Sequence, residues 1–232
     1  MMNQEQAPRK RSVKTKAPEA CSTERVPRAG RPKSPLITRE AAANAALLVI
    51  DRDGIDGLSL HAVAREMGVR APSLYHHFRD KEELLVKVAR LLLHKINVEQ
   101  EVWADEWEAR TIELALATYR VTMRHPNAAP LALKFFPRQV VLPAYEHTLE
   151  TCPYAPEHHV VVLEAIERFT FGFTLFAAAA ASAHTPPTPE VDPAQFPFLA
   201  AAIERAPTDE EVVFVEALRV ILDGLRLRYG AA

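Results

Sequence analysis

The sequence predicts an all-α fold, with a small three-helix headpiece in front of a larger helical bundle. Three observations support this prediction. Gly is scarce, at 7 of 232 residues, whereas the helix-favouring residues Ala, Leu, Glu and Arg are abundant. Apolar residues recur at helical spacing from Thr38 onward. No stretch alternates for long with the period of two that is typical of a half-buried strand.

The first 35 residues form a basic arm that we expect to be disordered, because they are polar and nearly free of large apolar side chains. They carry nine Lys or Arg and three Glu, a net charge of +6, which leaves −8 for the rest of the chain. A basic arm on an acidic body indicates contact with a polyanion. A solubilising leader is the alternative interpretation.

Capping residues and glycines delimit the first two predicted helices. Thr38 is placed to cap the first helix, and Gly54 to end it. Ser59 is placed to cap a second, shorter helix, which Gly68 ends. Leu47, from the first helix, belongs to the predicted core of this headpiece.

A third short helix has Pro72 in its first turn, and Asp80 opens a fourth, where Glu83 completes a capping-box pattern. Thr208 and Glu211 form a second capping box, and Gly230 closes the last helix. The later helices are predicted at 104–124, 127–136, 138–151, 156–183 and 208–229, with a weaker pattern near 195–205. The Pro-rich segment 184–193 is predicted to be a loop.

Leu58–Lys81, with the sequence LSLHAVAREMGVRAPSLYHHFRDK, has the pattern of a helix-turn-helix. Ala64 permits close contact of the two helices, Gly68 supplies backbone freedom, and Leu74 is one of the apolar residues that hold them together. The second helix is predicted to enter the major groove of DNA, with Arg70 reading guanine. The predicted DNA contacts are Lys33, Ser59, Arg70, Ala71, Pro72, Ser73, Tyr75, His76, His77 and Lys81.

Short Ala-rich helix pairs also occur in proteins that never bind DNA, and aromatic residues in this segment could belong to the core. Tyr75, His76 and His77 are consecutive, however, and cannot all point inward from one short helix. We therefore interpret them as facing an external partner.

At these residues the sequence resembles the tetracycline-repressor (TetR) family of bacterial regulators, over Ile37–Leu85. The resemblance implies that Ser59, Arg70, Pro72, Ser73, Tyr75, His76, His77 and Lys81 occupy the operator-contacting positions of the family. His61 departs from the family, because some relatives have Arg there for a base contact. The C-terminal half resembles the tetracycline repressors more loosely, through His125–Asn127 and Phe214–Leu225. Repression relieved by a ligand is the usual mode of the family.

The arm segment Ala29–Pro35 resembles the Gly-Arg-Pro core of minor-groove hooks. Non-specific attraction to phosphates is the alternative. The chain is thus predicted to contain a disordered arm at 1–35, a helix-turn-helix DNA-binding domain at 36–82, and a ligand-binding and dimerisation domain at 83–232.

The helices at 156–183 and 208–229 are predicted to pair with their symmetry mates in a homodimer, as a four-helix bundle. A buried core within one protomer is the alternative. Small residues at Ala177–Ala183, Gly172 and Gly224 permit close helix approach. A dimer would place two headpieces on half-sites about 34–36 Å apart, so the double-stranded operator DNA should be an inverted repeat.

The helices from about 104 to 176 are predicted to enclose a cavity for a small-molecule effector, apolar or aromatic and bearing one acidic or carbonyl group. Plain core packing is the alternative for each lining candidate. The candidates are Trp107, Met123, Phe135, Phe136, His147, Phe169 and Phe173.

An enzyme is the contrasting class. The sequence has no His-x-x-x-His or Glu-x-x-His pattern, no nucleophile elbow and no Gly-rich phosphate loop, so we predict no catalytic residue, metal or cofactor. A ligand-sequestering or interaction bundle without sequence-specific DNA binding is the remaining alternative. Only two Cys and no long membrane-spanning apolar run favour a cytoplasmic protein without a membrane segment.

Overall fold

The computed structural model of the chain describes residues 37–98, 104–135, 138–186 and 189–230. The predicted arm, with Lys33, lies outside these residues, as does Phe136. The described segments are helical and contain no strand, which confirms the all-α prediction. The helices are α1 Arg39–Gly57, α2 Leu60–Glu66, α3 Ala71–Tyr75, α4 Lys81–Val98, α5 Trp107–Arg124, α6 Pro130–Lys134, α7 Arg138–Glu150, α8 His159–Ser182, α9 Pro197–Arg205 and α10 Glu210–Tyr229.

The headpiece helices begin at the predicted caps. The Thr38 hydroxyl accepts a hydrogen bond from the backbone N–H of Ala41 at 3.0 Å, and Ser59 does the same for Ala62 at 3.0 Å. Each cap satisfies one of the N–H groups that a helix start leaves unpaired. Gly54, at φ 72° and ψ 175°, interrupts α1 where the sequence predicted its end, and the helix assignment resumes to Gly57.

The core of the headpiece extends beyond its own three helices. Leu74 and Phe78 are almost completely buried, and Leu84 of α4 is buried in the same cluster. Ala128 and Leu131, far along the chain, complete this cluster. The segment that follows α5 is therefore part of the surface on which the headpiece rests.

Three helix predictions were wrong in detail. The single helix predicted at 127–136 is divided into a 3-10 turn, Pro126–Ala128, and α6, because Pro130 starts a new helix. The last helix is capped by Asp209 rather than Thr208: the Asp209 carboxylate accepts from the Glu211 N–H at 2.9 Å. The helix predicted from 156 begins with a 3-10 turn, and α8 proper starts at His159.

A second core joins α5, α8 and α10 around Phe214, which is fully buried. The rings of Tyr119 and Phe169 stack on it, with centroids 5.0 and 5.6 Å away, and Phe173 meets it edge-on at 5.2 Å. Burial, together with the nearby acids at the start of α10, raises the pKa of Tyr119 to about 12. This cluster fixes α10 against the rest of the bundle.

Candidate DNA-binding surface and effector cavity

The corner between α2 and α3 has the geometry of a helix-turn-helix. Gly68 takes a φ of 66°, which favours glycine, and the N–H of Val69 donates to the carbonyl of Ala64 at 2.9 Å. Val63, Ala64 and Leu74 are buried at this corner, with at most 2% exposure. The roles that the sequence suggested for Ala64, Gly68 and Leu74 agree with this packing.

The predicted contacts of α3 are grouped around a buried anchor. Arg70, Pro72 and His76 are exposed, whereas Ala71, Ser73 and His77 are half-buried. Tyr75 is 50% exposed, although Leu74 beside it is fully buried. The Tyr75 ring meets His61 of α2 edge-on, at 6.1 Å between centroids. Leu74 thus holds α3 in place while its neighbours remain available to a partner.

Ser59 and Lys81 lie at the starts of α2 and α4. Ser59 is exposed, and its oxygen already serves the cap. The half-buried Lys81 ammonium donates to the carbonyl of Ile55 in α1 at 2.7 Å. An ammonium has three donors, so this contact leaves two for a phosphate. Lys81 therefore also ties the start of α4 to the end of α1.

Arg39, which the sequence analysis did not single out, clamps the far end of α3. Its guanidinium donates to the carbonyl of His77, pairs with Glu83 at 2.6 Å and lies over the Phe78 ring at 4.4 Å. The Glu83 carboxylate also accepts from the Arg79 N–H, and these bonds lower the pKa of Glu83 to about 2, that of Arg79 contributing most. The two hydrogen-bond partners of Arg39 lie 38 and 44 positions away along the chain. A local sequence pattern therefore does not reveal the role of Arg39.

A cavity of about 240 Å³ lies between α4, α5, α7 and α8. Its walls are mainly aliphatic side chains and threonines, with a few charged or aromatic groups. The lining residues are Leu93, Ile96, Arg110, Thr111, Leu114, Ala115, Thr118, Val141, Ala144, Tyr145, His147, Thr148, Leu163, Ile166, Glu167, Thr170 and Phe171.

Of the predicted effector residues, His147 lines this cavity, at its rim, since its side chain is 62% exposed. The others that the structure describes lie elsewhere. Trp107 is buried and donates to the carbonyl of Thr148 at 2.9 Å. Met123, Phe169 and Phe173 pack in the second core, and Phe135 packs against the headpiece core. Aromatic residues in the sequence do not mark this cavity, because its walls consist mainly of small and branched side chains.

A polar clamp joins α1 to the turn after α5. His125 Nδ1 lies 2.8 Å from a carboxylate oxygen of Asp51, and the Asn127 amide donates to the Asp51 carbonyl at 2.8 Å. Since a carboxylate only accepts, His125 holds a proton on Nδ1. We call these three residues, Asp51, His125 and Asn127, the Asp51 clamp. It connects α1 directly to the end of α5, one of the helices that line the cavity.

A membrane-spanning helix and a metal site each have requirements that can be compared with the structure. Within the described ranges, no helix is long and apolar enough to cross a membrane. The same residues contain no group of three or more His, Cys, Asp or Glu side chains arranged to hold a metal ion.

Comparisons with known proteins identify both halves of the chain. The family model "Bacterial regulatory proteins, tetR family" matches residues 43–88, and "Tetracyclin repressor-like, C-terminal domain" matches residues 103–229. The chain is 32% identical over 196 residues to the class A tetracycline repressor from transposon 1721 of Escherichia coli, an alignment that covers 79% of this chain and 88% of that protein.

Solved structures agree in fold. A possible TetR family transcriptional regulator from Streptomyces coelicolor A3(2) has a TM-score of 0.66 at 26% identity, over 82% of this chain and 99% of that one. The ActR protein of Streptomyces coelicolor, solved with actinorhodin, has a TM-score of 0.64 at 21% identity, over 84% of this chain and 98% of that one. Together with the helix-turn-helix, these matches establish that the chain belongs to the TetR family of bacterial transcriptional regulators.

Proposed function

We propose that this regulator is a repressor that binds an inverted-repeat operator as a homodimer and is released by a small-molecule effector. The observation that carries the proposal is the contrast along α3 and its flanking residues. Leu74 is buried, whereas Tyr75 and the flanking Arg70 and His76 are exposed. A helix held by one face and free on the other is suited to enter the major groove. The headpiece domain at 36–82 and the effector domain at 83–232 remain our proposal, as does a cytoplasmic, non-catalytic role.

Apolar side chains left uncovered by one protomer support the dimer. Phe176 of α8 is 84% exposed and Leu227 of α10 is 90% exposed. A Cβ added to Gly172 or Gly224 would meet nothing within 4 Å, so packing inside the protomer does not require glycine there. Close approach of a second copy explains both features. On α9, Phe198 is also 92% exposed.

The cavity is the proposed effector site, and α4 connects it to the headpiece. Leu93 and Ile96 line the cavity near the C-terminal end of α4, and Lys81 holds the other end to α1. An effector that displaces Leu93 or Ile96 would tilt a single helix that carries the headpiece. The effector shifts the equilibrium only by its different affinity for the two arrangements.

A second route leads through Phe171 to the Asp51 clamp. Phe171 lines the effector cavity and also a smaller cavity of about 30 Å³, which His125 and Ala128 line as well. A ligand that pushes the Phe171 ring toward this small space would press on the turn that holds Asp51. Both routes therefore end at α1 or α4.

Filling the cavity tests its role. Ala144→Trp should abolish release from DNA by any effector, because the ring occupies the space between α7 and α8. The exposed Ala155→Trp is the matched control and should respond normally. Fluorescence anisotropy of labelled operator, titrated with effector, measures both. Normal release by Ala144→Trp would contradict the assignment.

Breaking the clamp should weaken operator binding without affecting effector binding. His125→Ala removes the contact with Asp51 and loosens the headpiece, so we expect about a tenfold loss of operator affinity. The exposed His94→Ala on α4 is the control. Calorimetry should give the same effector affinity for both variants. Unchanged operator affinity in His125→Ala would remove the clamp from the mechanism.

The sign of regulation needs a test in the host cell. We expect immunoprecipitation of the chain to recover DNA beside promoters whose transcripts rise when its gene is deleted. Falling transcripts would make it an activator. Recovery of no specific DNA would support the alternative of a ligand-sequestering bundle.

Several relatives are named as tetracycline repressors, but we propose a different effector for this chain. Sites for drug-sized ligands commonly measure about 300–1,000 Å³, whereas this cavity has about 240 Å³. A smaller molecule is therefore the better match.

A further inference from the structure

The threonine hydroxyl groups of the cavity wall differ in whether they have a hydrogen-bond partner within the protein. Three of its threonines donate to the carbonyl four residues earlier in their own helix: Thr111 at 2.8 Å, Thr118 at 2.9 Å and Thr148 at 2.8 Å. Thr170 is only 5% exposed, and within the described part of the chain its hydroxyl has no partner. Burying a hydroxyl without a partner is unfavourable. Thr170 therefore offers a hydrogen-bonding position that the protein itself does not fill.

The cavity wall also carries one charge of each sign. Glu167 accepts a hydrogen bond from the Tyr145 hydroxyl at 2.5 Å, which fixes its carboxylate beside the cavity. Arg110 donates to the hydroxyl of Thr151. Among the described contacts, neither Glu167 nor Arg110 forms a salt bridge. The two charges balance over the wall as a whole, and a neutral molecule meets neither Glu167 nor Arg110 with a like charge.

The volume of the cavity also narrows the class of ligand. The cavity, at about 240 Å³, lies below the range of about 300–1,000 Å³ that is common for drug-sized ligands. A ligand body of about two fused rings or a short acyl chain matches a cavity of that size. Leu114, Leu163 and Ile166 supply an apolar surface for such a body.

We infer that the cavity binds a compact, neutral molecule with an apolar body and a hydroxyl group that donates to Glu167, with Thr170 as a second polar contact. This inference rests on the proposed function in taking the cavity for the effector site. It replaces the acidic or carbonyl group expected from the sequence with a neutral hydroxyl. Tyr145 acts as a positioning residue, because it holds the Glu167 carboxylate.

Matched probes test the inference on the full chain. Calorimetry compares 2-naphthol with naphthalene, which lacks the hydroxyl, with 2-naphthoate, which is an anion, and with tetracycline, which is larger. We expect 2-naphthol to bind at least about tenfold more tightly than each of the other three, as a hydrogen bond to a charged group predicts. Tightest binding of 2-naphthoate or tetracycline, or no binding of any probe, would overturn it.

Substitutions test whether Glu167 is responsible for the preference for 2-naphthol over the other probes. Glu167→Gln should weaken 2-naphthol binding about tenfold and reduce the discrimination against 2-naphthoate. Glu164→Gln, one turn earlier on α8 and paired with Arg168 on the surface, is the matched control and should change neither. Tyr145→Phe should show a smaller loss in the same direction. An unchanged preference in Glu167→Gln, with helix content intact by circular dichroism, would contradict the assignment.

Operator binding is measured on the same preparations without probe. Probe binding as expected, without any DNA binding, would leave the ligand class standing and overturn the proposed function. DNA binding without any probe binding would overturn the ligand class and leave the proposed DNA-binding function standing.

Discussion

Tyr75→Ala is expected to weaken operator binding by about 1–3 kcal/mol and to leave the fold and the dimer intact. The Tyr75 side chain is half exposed, and its ring contacts His61 only edge-on, so little packing is lost when it is removed. Its hydroxyl and ring are available to a phosphate or a base edge. Anisotropy with labelled operator measures the affinity, and thermal unfolding measures the stability.

The neighbouring residue supplies the contrast. Leu74 is fully buried between α2, α3 and α4, and Leu74→Ala should lower the free energy of unfolding by about 2–5 kcal/mol. Substitutions at these two adjacent residues should thus distinguish a residue that contacts DNA from a residue that stabilises the core. If Tyr75→Ala unfolds the headpiece, or binds the operator like the unmodified chain, Tyr75 does not contact DNA.

Phe176→Glu is expected to produce a monomer that no longer binds a full operator. Phe176 is 84% exposed in one protomer and would be buried in the proposed four-helix bundle. Burying a carboxylate there without a cationic partner costs several kcal/mol, whereas the monomer keeps the carboxylate in water. Sedimentation velocity measures the oligomeric state, and anisotropy measures the loss of operator affinity.

The control introduces the same charge elsewhere. Leu48 of α1 is 56% exposed and lies outside the proposed interface, so Leu48→Glu should remain dimeric. A dimer that persists in Phe176→Glu would show that α8 does not form the interface. Monomers in both variants would point to a general loss of stability.

The features that could be predicted from the sequence are those that local chemistry determines. Thr38 and Ser59 cap helices because a hydroxyl at that position can reach an N–H three residues later. Gly68 occupies a positive φ that favours glycine. The burial of Leu74 and the exposure of Tyr75 follow from a helix with a single packed face. These local rules were sufficient to locate the helix-turn-helix.

Features that depend on distant contacts could not be predicted in this way. Arg39 meets His77 and Glu83 only after the chain folds. Asp209 replaces Thr208 as a cap although both residues suit that position, and the tertiary pairing of Glu211 with Arg120 accompanies this choice. Tertiary position, rather than residue type, decides these cases.

The cavity shows the same limit. Aromatic residues such as Phe169 and Phe173 were predicted to line it, but aromatic side chains fill cores efficiently, and these two pack around Phe214. Space remains where the facing residues are small, as at Ala115 and Ala144. A sequence identifies large side chains more readily than the gaps between small ones. Effector contacts for Trp107, Met123, Phe135, Phe169 and Phe173 remain predictions without a place in this cavity.

Selection of bound sequences from random double-stranded DNA tests the central claim most directly. A dimer that reads DNA through α3 should enrich an inverted repeat with half-site centres about 10–10.5 base pairs, or a multiple of that, apart. Tyr75→Ala should enrich the same repeat less strongly. Enrichment of no inverted repeat by the unmodified chain would contradict the dimeric regulator described here.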